Sequence, residues 1–146
     1  MKHSISKSRL WTARVMSGLV TLFMLFDGIT KLLKLSVSVD GMVEMGFAEH
    51  HVITIGILAL LSTILYALPQ TSVLGAIILT GFFGGVIATH IRLDNPLFSH
   101  TLFPVYLAVL TWGGIYLRDK RLQIIFPIKQ RRQITDKNDF NRTNMS

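Results

Sequence analysis

Apolar residues along this chain gather into four blocks, and three of them carry no charge over 17 residues each: 52–68, 73–89 and 101–117. At about 1.5 Å per residue, a 17-residue helix covers roughly 26 Å, close to a bilayer's hydrocarbon thickness and at the lower bound for a spanning segment. The remaining block, 15–33, is interrupted only by Asp27 and Lys31. The pattern predicts four membrane-crossing helices over about 12–33, 51–68, 72–90 and 101–118. Pro69-Gln70-Thr71 is a tight turn: proline cannot continue the preceding helix, and Thr71 or Ser72 can cap the next. Helices joined so briefly are antiparallel neighbours. Between the first two blocks, residues 34–51 are polar, yet Met42, Val43, Met45 and Phe47, spaced among Gly41 and Gly46, are compatible with a short interfacial helix.

The third block is rich in small residues. Ala76, Thr80, Gly84 and Ala88 recur every four positions, and Gly81 with Gly85 forms a GxxxG pair beside them. Helices in lipid gain nothing by hiding apolar surface from water, so small residues that let backbones approach are their usual packing device. The stripe is therefore expected to contact a neighbouring helix, within one copy or between copies; a cleft for a flat ligand is the functional alternative.

Composition narrows the class. Half of the 146 residues are hydrophobic and 16% are charged, which is unusually apolar for a soluble domain. The net charge of +7 is a signal shared with nucleic-acid binders. Here the basic residues concentrate at the two termini, so no nucleic-acid partner is expected and the bilayer is. With no cysteine, disulfides, thiolate metal sites and thiol redox chemistry are excluded. A secretory signal peptide would also open with a basic stretch and an apolar run. The charges at 27, 31 and 34 would then lie between that run and the small residues Ser36 and Ser38, so the first block reads as a retained span.

Four spans place both termini on one side. That side holds twelve basic residues against three acidic, the other three basic (Lys31, Lys34, Arg92) against five acidic. The positive-inside rule then puts both termini in the cytoplasm. The expected organisation is a basic N-terminus over 1–14, an all-α, four-helix integral membrane bundle over 15–119, and a basic, disordered cytoplasmic tail over 120–146.

This topology collects the polar chemistry at the outer end. Asp27 and Lys31, spaced i, i+4, share a helical face and can pair. Glu49, His50, His51, His90, Arg92 and His100 fall at the same boundary. Ionisable groups at membrane depth cost about 2.5 to 3.5 kcal/mol each on insertion scales, which makes them functional candidates. The candidate ligand cluster is Asp27, Lys31, Glu49, His90, Arg92 and His100. The bland alternatives are a structural ion pair at 27 and 31 and histidines that merely end helices. Ideal helical counting puts His90 on the side of Leu79, Phe83 and Val86. Histidine and carboxylate ligand types for a metal are present, but their spacing matches no standard motif and no metal is expected. The chain holds no GxSxG, P-loop, GxGxxG followed by an acid, or HExxH motif.

Several stretches carry a family resemblance. They are Phe26-Asp27-Gly28 with Lys31, Met45-Gly46-Phe47 with Glu49, and Ile55-Gly56-Ile57-Leu58 followed by Leu65-Tyr66 and Pro69. The third block from Val73 to His90 continues into Arg92, Pro96-Leu97-Phe98 and His100, and the last runs from Leu102-Phe103-Pro104 to Trp112 and Asp119. Over about residues 15 to 119 the chain resembles the DoxX-like family of small four-helix membrane proteins. The resemblance implies a membrane bundle more firmly than an activity, although the family's namesakes are associated with a membrane thiosulfate:quinone oxidoreductase. It suggests a subunit or binding module for a quinone-like ligand, with a small carrier or a structural partner in a complex as alternatives. The expected location is the cytoplasmic membrane of a bacterium, and a membrane-protein partner or a second copy is an expected companion. Two positions depart from the family pattern: Ala59 stands where a glutamate is expected within the second span, and Gln70 where an arginine often follows the proline.

Overall fold

In a computed structural model, which describes residues 6–126, every regular element is a helix. They are α1 (Lys7–Leu32), α2 (Ser36–Glu44), α3 (His51–Ala67), α4 (Ser72–Arg92), a π-helical turn (Leu97–Thr101), α5 (Phe103–Arg118) and α6 (Lys120–Ile125). α1 packs on α3 and α5, α3 on α4, and α4 on α5, so the four long helices close into a ring. Three segments are long and apolar enough to cross a membrane: Lys7–Leu32, Ser72–Arg92 and Leu97–Arg118. α3 is as apolar but has 17 residues.

The radial pattern is that of a membrane protein. Outward positions on the ring are large and apolar, among them Leu19, Leu22, Phe26, Ile57, Leu61, Ile64, Leu74, Ile77 and Val109. Ser17, Ser62, Thr63 and Thr111 instead turn inward and are buried. Ser62, Thr63 and Thr111 return their hydroxyls to carbonyls one turn earlier (Leu58, Ala59 and Leu107), which satisfies them without water. Between these groups Val20, Met24, Ala59, Tyr66, Ala76, Leu79, Phe83, Leu107 and Ile115 form the core.

Close approach of the helices depends on glycines other than the expected ones. A Cβ on Gly28 would meet Leu60 at 2.5 Å and the Gly56 carbonyl oxygen at 3.3 Å, so α1 and α3 cross there. Gly114 does the same for α5 on α1, against Ser17 and the Ala13 carbonyl. Gly75 lies against the Tyr66 backbone, where a Cβ would be 2.2 Å from the amide nitrogen. Of the expected stripe on α4, Ala76 is buried in the core, and Thr80 accepts a 2.9 Å hydrogen bond from the Trp112 indole of α5. Among the described residues, Gly81, Gly84 and Gly85 have nothing within 4 Å of an added Cβ, and Ala88 is exposed. These positions therefore make no close helix contact within one copy: Gly81, Gly84 and Ala88 are exposed, and Gly85 borders the cavity described below.

Three helices end in the same way. After α1, Leu35 N–H donates to the Thr30 carbonyl and Lys34 N–H to Lys31, with Lys34 in the left-handed region (φ 48°). After α2, Phe47 and Gly46 (φ 83°) repeat the pattern onto Met42 and Val43; after α4, Asn95 and Asp94 (φ 52°) repeat it onto His90 and Ile91. These are Schellman turns, which satisfy terminal carbonyls and reverse the chain at once. All three lie at the end of the ring remote from Lys7 and Arg118.

Other boundaries shift. α1 begins at Lys7, so Lys7–Arg14 is helical rather than a separate arm. Thr71 occupies the position before α4 but does not cap it: its hydroxyl donates 2.8 Å back to the Leu65 carbonyl, and Ser72 donates to Pro69, both tightening the hairpin. The chain is not irregular from 120 as expected, because Asp119 accepts from Arg121 N–H at 2.8 Å and starts α6, which buries Leu122. The rest of the expected tail, 127–146, lies outside the described residues, as does Lys2 of the basic N-terminus.

Candidate functional site

Beneath α2, the end of the ring remote from Lys7 and Arg118 does not close. A cavity of about 350 Å³ remains there, lined from α1 by Phe23, Met24, Asp27 and Lys31, and from α4 by Phe82, Phe83, Gly85, Val86, Thr89 and His90. α5 supplies Phe103, Pro104 and Leu107, α3 supplies Ile55, and Met42, Met45 and Phe47 form the cover. Such a volume is in the range of small-molecule sites, and the walls are mostly aromatic and thioether. Phe23 and Phe103 meet edge to face with centroids 5.2 Å apart, which fixes one corner.

Polar groups enter at one side. Lys31 donates to the Asp27 carboxylate one turn earlier, and its side chain is only 10% exposed against 28% for Asp27. Burying the lysine stem requires space on α3, which Gly56 provides: a Cβ there would come within 2.8 Å of Lys31 Cβ. Glycine at 56 therefore serves both the helix crossing and the placement of the ammonium group. The remaining Lys31 hydrogens and the less buried Asp27 carboxylate offer a donor and an acceptor side by side.

His90 is set by the turn after α4. The Schellman reversal brings Asn95 back over the helix end, where its Nδ2 lies 2.9 Å from His90 Nδ1. With the Asn95 amide nitrogen as donor, Nδ1 accepts, and a neutral imidazole held this way carries its proton on Nε2. The π-helical turn then stacks His100 edge to face on His90, centroids 5.7 Å apart, while Ser99 Oγ sits 2.7 Å from His100 Nδ1. His90 lines the cavity together with Phe83 and Val86, and Gly85 of the glycine pair lines it too.

The six candidate residues separate into two groups. Asp27, Lys31 and His90 line the cavity. His100 backs His90 from outside and is itself exposed. Arg92 reaches across to donate 2.8 Å to the Met45 carbonyl, which pins the end of α2 and so holds the cover. Glu49 is exposed beyond the cover, and His50 and His51 stack on each other with centroids 4.0 Å apart. Among the described residues, no group of three His, Asp or Glu side chains is arranged to hold a metal. The cover residues and Thr89 were not among the expected site residues. The apolar spacing of Met42, Met45 and Phe47 was the signal, but it marks a buried face without telling what lies beneath. Ala59, where the family pattern expects a glutamate, is fully buried in the core, and Gln70 is exposed in the hairpin.

A family model described as the DoxX-like family matches residues 15–114. No curated protein and no solved structure matches the chain. The matched span contains every residue that lines the cavity.

Proposed function

The chain belongs to the DoxX-like family, and from that premise we propose an integral membrane protein that holds one small, flat, quinone-like ligand under α2. The carrying observation is the cavity itself: an aromatic and thioether slot with Lys31, Asp27 and His90 gathered at one side. A ring compound bearing carbonyl or hydroxyl oxygens matches that division. Its apolar face lies against Phe82, Phe83 and Phe103, and its oxygens take hydrogen bonds from Lys31 Nζ and His90 Nε2. Asp27 orients Lys31 and keeps the buried ammonium paired. Retention is tested by extracting the protein purified in mild detergent and assaying the extract by mass spectrometry, alongside melting with an added short-chain benzoquinone. The expected result is copurified quinone and a raised melting temperature. Gly85→Leu, which grows into the cavity from an unobstructed position, should reduce both with melting of the ligand-free protein unchanged. Absence of quinone together with no melting shift, or full retention by Gly85→Leu, overturns the reading; substrate-dependent flux in proteoliposomes would replace it with a carrier.

The same proposal assigns four spans, α3 being the fourth. Its 17 residues cover roughly 26 Å, short for a bilayer, but it is packed between α1 and α4 along the ring. Both termini are cytoplasmic in the inner membrane of a bacterium, because Lys7, Arg9, Arg14, Arg118, Lys120 and Arg121 share one end. A reporter fused after Ser146 should therefore be cytoplasmic, and Val43→Cys, exposed on α2, should react with an impermeant reagent from outside. Labelling of Gln130→Cys in intact cells would reverse the orientation.

A further inference from the structure

The end of the ring opposite the cavity holds a second cleft, of about 330 Å³, between α1, α3 and α5. Its polar lining is Arg14, Ser17, Thr21, Tyr66 and Arg118, with no acidic side chain lining it among the described residues. The register follows from the α1–α5 contact. Gly114 packs on Ser17 and Ala13, and the helices are antiparallel, so Arg118, one turn beyond Gly114, comes level with Arg14.

Arg118 is held in an unusual way. Its guanidinium carbon lies 5.8 Å from the centroid of the Tyr66 ring, a cation–π contact. Tyr66 is itself fixed, with its hydroxyl oxygen 3.0 Å from both the Thr111 carbonyl oxygen and Ser17 Oγ. The platform is thus rigid and buried. Yet Arg118 Nη2 is shielded from solvent and has no hydrogen-bond partner among the described residues. A guanidinium cannot shed its charge, and a buried donor left unmade is costly. The nearest carboxylate in sequence, Asp119, is turned to the Arg121 amide at the start of α6.

We propose that this cleft binds a phosphoryl anion, with the Arg118 guanidinium turning to donate its unpartnered Nη2 to one oxygen and Arg14 donating to another. Arginine suits this role because its planar fork matches phosphate oxygens. A lipid headgroup and a free phosphate ester share this chemistry. The apolar part of the lining, Leu22 and Ala67, continues toward the outer face of the ring and would lie along an acyl chain if the source is lipid. The site is separate from the cavity beneath α2 and does not depend on what that cavity holds.

The test uses the full chain in mild detergent and two probes, phosphatidylglycerol followed by native mass spectrometry and inorganic phosphate followed by thermal melting. In the first arm, phosphatidylglycerol should stay bound when detergent is stripped, and Arg14→Gln and Arg118→Gln should each lower the bound fraction about tenfold, the usual scale for one charge-assisted hydrogen bond. Arg118→Lys, which keeps charge without the fork, should recover part of it. Stabilisation by millimolar phosphate, abolished by the same variants and without lipid retention, would support the site with a soluble phosphate as its source. Arg14 is exposed, so Arg14→Gln should fold normally and decides the matter if Arg118→Gln does not. Phosphatidylglycerol and phosphate both without effect on the wild type, or wild-type retention by Arg14→Gln, would overturn the proposal.

Discussion

Gly75→Ala is expected to leave little or no folded protein, whereas Gly84→Leu, a far larger side chain nine residues on, is expected to melt with the wild type. The difference is what each side chain meets. At 75 a single methyl group would stand 2.2 Å from the Tyr66 amide nitrogen and 2.5 Å from its Cα. Those atoms are backbone of α3 and cannot rotate away. The hairpin between α3 and α4 would have to open, breaking the Thr71 hydroxyl contact with Leu65 and pulling Tyr66 from the core. The cost should exceed the roughly 1–3 kcal/mol of ordinary overpacking, where flexible side chains absorb the strain. At 84 a Cβ meets nothing within 4 Å. The comparison is size-exclusion recovery and thermal aggregation in detergent. A Gly75→Ala protein that purifies and melts normally would show that the hairpin has slack which this geometry denies. A Gly84→Leu protein that melts early, or loses an oligomer, would show that the outward stripe contacts another copy.

The contrast also shows which part of the packing can be read from residue spacing. A repeat of small residues on α4 is visible in the sequence because its period is helical. Whether it faces a neighbour depends on helix rotation, and the apolar positions give little guidance when lipid and protein interior are equally apolar. Gly28, Gly56, Gly75 and Gly114 fall one on each of four helices, outside the repeat on α4 and with no period to mark them. Their role exists only once two helices are brought together, as Gly28 and Gly56 are.

The site divides along similar lines. Asp27 and Lys31 are legible because charge inside an apolar block has few innocent explanations, and their i, i+4 spacing alone predicts the pair. His90 is legible as well, since helical counting gives its side of α4. The cover is not. Met42, Met45 and Phe47 read as an interfacial helix, and only the Schellman turns at Lys34 and Gly46 fold that helix over the cavity. The role of Arg92 depends on the same folding, because the Met45 carbonyl comes within its reach only after α2 has turned back. Tyr66 and Arg118 were missed for a further reason. A tyrosine and an arginine at span ends are ordinary interfacial residues, and the orphaned guanidinium nitrogen appears only in three dimensions.

The ion pair under the cover makes an asymmetric prediction. Asp27→Asn removes the partner of an ammonium group whose side chain is 10% exposed, while Lys31→Met removes the partner of a carboxylate that is 28% exposed. An uncompensated charge is costlier the more deeply it is held, with about 3 to 5 kcal/mol as the scale for breaking a buried pair. Asp27→Asn should therefore fall near that range and Lys31→Met clearly below it. Met also replaces the lysine stem against Gly56 with a chain of similar length, which limits the packing loss. Removing both charges, Asp27→Asn with Lys31→Met, should return most of the stability lost by Asp27→Asn alone, because no buried charge is then left unpaired. Ligand retention should not return, since the donor and acceptor at the polar side of the cavity are gone. The paired readout is melting temperature and copurified quinone for the two single variants and the double variant. Equal melting of both single variants would remove the asymmetry and with it the buried-ammonium account. A double variant that melts like the wild type and still retains quinone would make the pair scaffolding, with His90 left as the polar contact for the ligand.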